Sequence, residues 1–552
     1  MRRQIPQHES LTVEFKSDRK KLPDRDLVLT AVCLANTEGG EIYLGVEDDG
    51  TVTGLHRAHQ STTGLAALIA NRTSPPLSVR CELLEVEGKT VGRIEVPRSD
   101  RVVASSDGTL QRRRLLADGR PACVPMLPGE IATRESDLRR LDYSALPVAG
   151  ATERDLDPVE RDRLRQAIER HGGDRSLIDL ADEELDGALG LVRTEGGRRI
   201  PTVAGLLLVG KESAIREHLP THEVAFQVLE QEDVHVNDFL RLPLIRLFEK
   251  LDGYVAARIV EREVQVGLFR VGVPNIDRRA WREAVVNAIV HRDYTRLGAV
   301  HIRLQGDQLV VSNPGGFVDG VTQDNILVVE PRPRNPLLAD AFKRIGLAER
   351  TGRGVDLIYR GLLAYGRPAP SYARSTADTV VLEMSCAEAD LDFVELVLTE
   401  ENRRGARLPI DTLLVLDLLR RERRVDAPNV ARMIQKDVAA ARAVLESLVE
   451  AGLVTAHGVK KGRTYTLSPR VYRRMGRPGG FVRQAGFEPI QQEEMVKRYV
   501  REHGVIRRQD VMNLCRLSGP QASRLLKKLV GRRVLKKIGE RRWARYEAGP
   551  EL

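Results

Sequence analysis

The chain has 552 residues, of which 42% are apolar and 30% charged, with a net charge of +9 and five cysteines. At ~100–200 residues per domain this is too long for one hydrophobic core and calls for roughly three to five folding units. No apolar run approaches the ~18 residues of a membrane span, no apolar stretch follows the basic N-terminus, and Cys33, Cys81, Cys123, Cys386 and Cys515 lie far apart without CxxC or His-paired spacing. A soluble, unexported protein without a zinc module is expected, in a reducing cytoplasm and without disulfides.

The charge is unevenly divided. Residues 401–552 hold 34 Lys and Arg against 16 Asp and Glu, a net of +18, which leaves −9 for residues 1–400. Such a basic tail attracts nucleic-acid phosphates through counterion release.

In chain order, Glu9 and Glu14 come first, followed by an apolar helical stretch with Leu27, Leu29, Val32, Leu34 and Ala35. Gly39 and Gly40 then supply the positive φ of a tight turn, and Ile42, Leu44 and Val46 alternate with Tyr43 and Gly45 as a strand ending at Asp48. Taken by itself, this stretch reads as an acidic metal site or as a nucleic-acid-binding scaffold. Its four ordered pieces are Glu9-Ser10, Glu14-Phe15-Lys16, Asn36-Thr37 with Gly39-Gly40, and Gly45-Val46 with Asp48. In that order they resemble the Schlafen AlbA-like domain over about residues 1–130. The resemblance implies a nucleic-acid-facing fold and, in nuclease members, three catalytic carboxylates that fall here on Glu9, Glu14 and Asp48. Three such oxygen ligands suit Mg²⁺ or Mn²⁺ at a phosphodiester. The competing reading pairs Glu14 with Lys16 or a nearby Arg and makes Asp48-Asp49-Gly50 a turn.

Residues 83–86 and 91–96 read as strands around a Glu87-Gly88 turn. Gly88-Lys89-Thr90 lacks the leading glycine of a phosphate loop and is a hairpin turn. Arg112, Arg113 and Arg114 suit a phosphate contact and an exposed strand equally. Asp157-Pro158 caps a helix reaching about residue 170, while 201–210 reads as a helix-to-strand junction with 205–210 a buried strand.

Glu283, Asn287 and His291 are spaced i, i+4, i+8, so they share one stripe of a helix whose Ala284, Val285, Ala288 and Ile289 can pack on a sheet. A Glu can activate water, and an Asn oxygen can hold Mg²⁺ between nucleotide phosphates. After a strand pair at 300–304 and 308–311 come Asn313, Gly315 and Gly316; further on, Gly352 and Gly354 open a helix where phosphate oxygens can sit on backbone N–H groups. In this order the pieces resemble the GHKL-type ATP-binding fold in its divergent RecG-like form, over about residues 270–385. The resemblance implies ATP with Mg²⁺, Glu283 as general base, Asn287 as Mg²⁺ ligand, and Gly315, Gly316, Gly352 and Gly354 around the nucleotide. One position departs from the pattern: typical members accept the adenine amino group on an Asp, and the matching residue is Asn313, which can accept without the charge. With no phosphate loop or helicase signature, helicase activity is excluded.

The basic tail repeats. Val444, Leu445, Leu448, Val449, Leu453, Val454 and Tyr465 recur 81 residues later as Leu525, Leu526, Leu529, Val530, Val534, Leu535 and Tyr546. Each copy has two preceding helices, 413–422 and 429–435 in the first, 493–502 and 509–517 in the second, and a closing basic β pair. This three-helix-plus-wing pattern resembles the winged helix-turn-helix, which implies a third helix in the major groove and a wing on phosphates. The second copy offers Gln521, Ser523, Arg524, Lys527 and Lys528 on the helix, with Lys536, Lys537, Arg541, Arg542 and Arg545 on the wing. The first offers Arg442, Lys460, Lys461 and Arg463. A basic, breaker-rich stretch at 470–480 reads as a flexible tether.

The expectation is an α+β multidomain chain: a Schlafen AlbA-like domain at 1–130, an α/β connecting region at 131–269, a GHKL-like ATP-binding sandwich at 270–385, and winged helices at 405–470 and 484–548. Functionally it reads as a cytoplasmic, ATP-binding, DNA-binding transcriptional regulator, with a homodimer suited to paired half-sites. The alternative is a nucleotide-gated, metal-dependent nuclease acting on RNA or single-stranded DNA in defence.

Overall fold

The computed structural model describes residues 5–230, 233–266, 269–349, 352–422, 424–458, 462–474, 489–515, 517–539 and 544–552. Near the N-terminus, the strands Val13–Lys16, Gly40–Leu44, Lys89–Val96 and Arg80–Val86 form one sheet in that spatial order, the first pair parallel and the others antiparallel. The helix Asp24–Ala35 packs beneath it, burying Leu27, Val28, Ala31, Val32 and Leu34 against Ile42, Leu44, Ile94 and Val96. Gly40 makes the parallel pairing possible: a Cβ there would stand 2.3 Å from the Thr12 carbonyl oxygen. The expected hairpin turn is present, with Glu87 and Gly88 both at positive φ.

One expectation fails here. Cys33, in the helix, and Cys123, on the strand Pro121–Pro125, form a disulfide with Cα atoms 5.8 Å apart and a sequence separation of 90. The hairpin made by Gln111–Leu115 and Pro121–Pro125 folds back onto the helix, a long-range approach that cysteine spacing does not record.

A five-stranded sheet organises the middle of the chain, in the order Asp233–Leu240, Val224–Glu230, Val300–Gln305, Gln308–Pro314, Thr379–Ser385. Val224–Glu230 runs parallel to Val300–Gln305, so the sheet crosses the division drawn at residue 270, and one buried core extends from Val148 to Cys386. The stretch 205–210 is not a strand. Residues 205–209 belong to the helix Val203–Val209, with Gly210 its extended C-cap, and the first turn is capped by the Thr202 hydroxyl accepting from Gly205 N–H at 3.1 Å. All seven helical residues are buried, and a helix apolar on every side has no amphipathic period to separate it from a buried strand.

Two C-terminal units follow, each of three helices and a hairpin. The first comprises Ile410–Arg421, Ala427–Met433 and Val438–Glu450 with the strands Val454–His457 and Thr464–Leu467. The second comprises Pro489–His503, Arg508–Cys515 and Gly519–Gly531 with Leu535–Ile538 and Arg545–Ala548, joined by a short strand, Val505–Arg507. The first unit shares its core with Tyr359 and Leu363 of the helix Gly354–Leu363; the second has a core of its own. Among the described residues no helix is long and apolar enough to cross a membrane.

Candidate functional site

A cavity of about 320 Å³ opens between the sheet, the helix Arg278–Val290 and the start of the helix Gly354–Leu363. Asp277 fixes the first helix by accepting from the N–H groups of Arg279 and Ala280, both at 2.9 Å. Trp281, Ala284, Val285 and Ile289 are buried on the inner face, and this turns Glu283, Asn287 and His291 toward the cavity as their spacing requires. Asn313, near the end of Gln308–Pro314, lines it too, together with Gly316, Gly352 and Gly354. Gly315 stands outside the lining; a Cβ there would lie 2.8 Å from the Asp293 Cβ.

Glu283 is the group with the most perturbed carboxyl in the cavity. It is 2% exposed, and burial pushes its pKa up to about 7, opposed by the Arg282 charge and reinforced by that of Glu349. Its Oε1 has no hydrogen-bond partner among the described residues. A carboxylate poised near neutrality is suited to accept a proton from water. Burial likewise holds His291 neutral, with its pKa lowered to about 4, and the neighbouring Arg334 opposes protonation further. Arg334 is itself buried, donating to the carbonyls of His291 at 3.0 Å and Gly316 at 2.9 Å and pairing with Asp137.

Close packing of chain on chain accounts for two of the glycines. A Cβ at Gly352 would stand 2.5 Å from Pro331 Cγ, and one at Gly354 would stand 2.6 Å from Glu283 Oε2. The glycine-led helix therefore closes directly onto the carboxylate. Its first turn, Gly354 to Asp356, lines the cavity, and N–H groups there have no intrahelical partner.

Sequence reasoning missed the cover. Residues 317–333 cross the cavity and supply an apolar wall from Phe317, Val318, Val321, Ile326, Leu327 and Val329. The segment has neither helical nor strand period; the one available signal was its density of branched apolar residues between turn residues. Lys343 and Arg353, also in the lining, were not singled out.

The N-terminal acids are arranged differently from a metal triad. Glu14 is buried and pairs with Lys16 and with the fully buried guanidinium of Arg113. Glu9 accepts from Phe15 N–H at 2.8 Å, and burial, with the adjacent Glu14 charge, raises its pKa. Asp48 is exposed in the turn that follows the strand. Among the described residues no three His, Cys, Asp or Glu side chains gather closely enough to hold a metal ion. Arg113 is thus neither an exposed strand residue nor a phosphate contact, and Arg112 pairs with Glu130.

On the second C-terminal unit, Ser523, Arg524 and Lys527 are exposed on the third helix, and Lys536 and Lys537 are exposed on the hairpin. Gln521 is occupied as a cap, accepting from Ser518 N–H at 2.9 Å. Lys528 pairs with Glu493 at 2.6 Å and Arg532 joins the same carboxylate at 3.1 Å, binding the third helix to the first. On the first unit Arg442 is exposed, whereas Arg463 pairs with Glu446 at 3.0 Å and lies over the Tyr465 ring. Lys460, Lys461, Arg541 and Arg542 fall outside the described residues.

Four family models match successive parts of the chain. Residues 9–115 match "Schlafen, AlbA_2" and 132–225 match a "Domain of unknown function (DUF8451)". Residues 298–383 match "Putative ATP-dependent DNA helicase recG C-terminal", and 387–549 match "DNA glycosylase AlkZ-like". Together these similarities mark a nucleic-acid-related function. Among solved structures, the crystal structure of the DIP2311 protein from Corynebacterium diphtheriae is 24% identical, covering 98% of this chain and 95% of that one with a TM-score of 0.51. That likeness is one of fold. The solution structure of the N-terminal domain of a "Putative ATP-dependent DNA Helicase RecG-related Protein" from Nitrosomonas europaea is 25% identical but covers 16% of this chain and 62% of that one; its TM-score of 0.13 supports no argument. No curated protein matches.

Proposed function

We propose that the protein is a DNA-binding regulator of transcription whose middle domain binds ATP with Mg²⁺, the nucleotide setting how the C-terminal units engage DNA. The observation that carries this reading is the cationic face of the second unit: Arg524 and Lys527 are exposed on a third helix, with Lys536 and Lys537 exposed on the hairpin that follows. That is the arrangement with which a winged helix-turn-helix places a helix in the major groove and a wing on phosphates.

The middle cavity supports the nucleotide half. Its volume lies within the range of ligand pockets, it offers an apolar wall for a base, and the first turn of Gly354–Leu363 offers N–H groups for phosphate oxygens. Asn287, Asn313 and Glu283 line that cavity, and in this reading Asn287 would ligate Mg²⁺, Asn313 would accept from an adenine amino group, and Glu283 would take a proton from water. Bound nucleotide would supply the phosphate charge that the metal neutralises. Nuclease chemistry has weaker support, because Glu14 is already neutralised by Arg113 and Lys16 while Asp48 stands apart in a turn.

The test is fluorescence anisotropy of labelled duplex DNA with the full chain at low salt. Replacing Arg524 and Lys527 together by Ala should weaken binding about tenfold or more, since each phosphate contact adds to the salt-dependent affinity. Equal affinity in the double variant would remove the second unit as the DNA reader.

A further inference from the structure

Gln435 lies in the turn between the second and third helices of the first C-terminal unit, two residues before Asp437 caps the third helix through Ala440 N–H. Its side chain leaves that unit altogether. The amide oxygen accepts from Leu327 N–H and the amide nitrogen donates to the Gln323 carbonyl, both at 2.8 Å, and both partners lie on the cover of the cavity more than a hundred positions earlier. Leu327 also packs on the core of the first unit, as does Val355 at the start of the glycine-led helix, and both line the cavity.

The turn is fixed at its own end. Gln435 holds φ at 56°, a left-handed conformation uncommon for glutamine, while Lys436 N–H bonds the Ala431 carbonyl at 3.0 Å and its ammonium pairs with Asp411 at 2.6 Å. On its far side the cover is tied to the N-terminal module by Arg98 and Asp319 at 2.8 Å. The wall of the cavity is therefore strung between two modules, and its connection to the C-terminal one combines the packing of Leu327 with two hydrogen bonds from the Gln435 amide.

We infer that Gln435 couples occupancy of the cavity to the first C-terminal unit, by clamping the cover 317–333 to the turn that leads into that unit's third helix. The inference rests on the nucleotide-binding reading above. A ligand that bears on the cover then favours one placement of the turn, and a shift follows only to the extent that the ligand binds the two placements differently. The coupling must also be reciprocal, so DNA changes nucleotide affinity by the same factor.

The experiment uses the full chain, a fluorescent ATP analogue with Mg²⁺, and labelled duplex DNA. Gln435→Asn keeps a residue that tolerates positive φ but is one methylene too short for both bonds; Gln435→Glu keeps the acceptor for Leu327 and loses the donor for Gln323. In the parent, saturating nucleotide should change DNA affinity by about fivefold or more, and DNA should change nucleotide affinity equally. Gln435→Asn should leave each affinity, measured alone, within about twofold and abolish the cross-effect, with Gln435→Glu intermediate. Hydrogen exchange should show nucleotide protecting 317–333 in parent and variants, but altering 424–440 in the parent only. A cross-effect of full size in both variants would overturn the clamp, as would its absence in a parent that binds nucleotide. A parent that binds no nucleotide would instead overturn the nucleotide-binding reading, and the inference with it.

Discussion

Glu283 sits at 2% exposure with its carboxyl held near a pKa of about 7, and the sign of the resulting pH dependence can be worked out. Between its ordinary value and about 7 the folded chain keeps a proton that the unfolded chain has lost, so stability falls as pH rises through that window. The loss amounts to about 3 kcal/mol above it. Glu283→Gln should therefore melt several degrees above the parent at pH 8, with the gap closing by pH 5, in thermal scans at both values. A gap of equal size at both pH values would show that the carboxyl is not protonated by burial. Arg113 makes the complementary case in the N-terminal module. Its guanidinium is buried against Glu14 and bonds the carbonyls of Ser10 and Val13 at 2.8 and 3.0 Å. Arg113→Ala would leave the buried Glu14 carboxylate beside Glu9 with Lys16 as its remaining described cation, and should cost about 3 kcal/mol or more in a denaturant titration.

At the scale of elements, the third helix of the second unit separates two neighbouring lysines by role. Lys527 is exposed, whereas Lys528 shares Glu493 with Arg532. Lys527→Ala should weaken DNA binding and lower the salt slope by about one, while Lys528→Ala should act mainly on the stability of the unit. Elements with local signals were legible in the sequence: Asp157 does cap Pro158–His171, the Glu87-Gly88 hairpin forms, and the 81-residue offset marks two units of like construction. The stripe of Glu283, Asn287 and His291 also faces a single cavity. What escaped the sequence depends on contacts between distant segments. The parallel pairing of Val224–Glu230 with Val300–Gln305, the Cys33–Cys123 bond and the Gln435 clamp all join residues that no local period links. Val203–Val209 escaped for another reason, since burial on every side erased its period.

Across the whole molecule, the N-terminal module and a basic C-terminal tail flank a cavity whose cover is bonded to both. Arg98 holds the cover from the N-terminal side and Gln435 from the C-terminal side, and the proposed coupling rests on these two attachments. The most direct measurement of that relation is the affinity of the full chain for duplex DNA, taken by anisotropy at 50 and 200 mM salt with and without Mg²⁺-ATP. If about four phosphates are contacted, affinity should fall about a hundredfold between the two salt concentrations. At either salt, Mg²⁺-ATP should move it by about fivefold or more. DNA binding that is absent at 50 mM salt, or that is the same with and without Mg²⁺-ATP, would contradict a nucleotide-responsive DNA-binding protein.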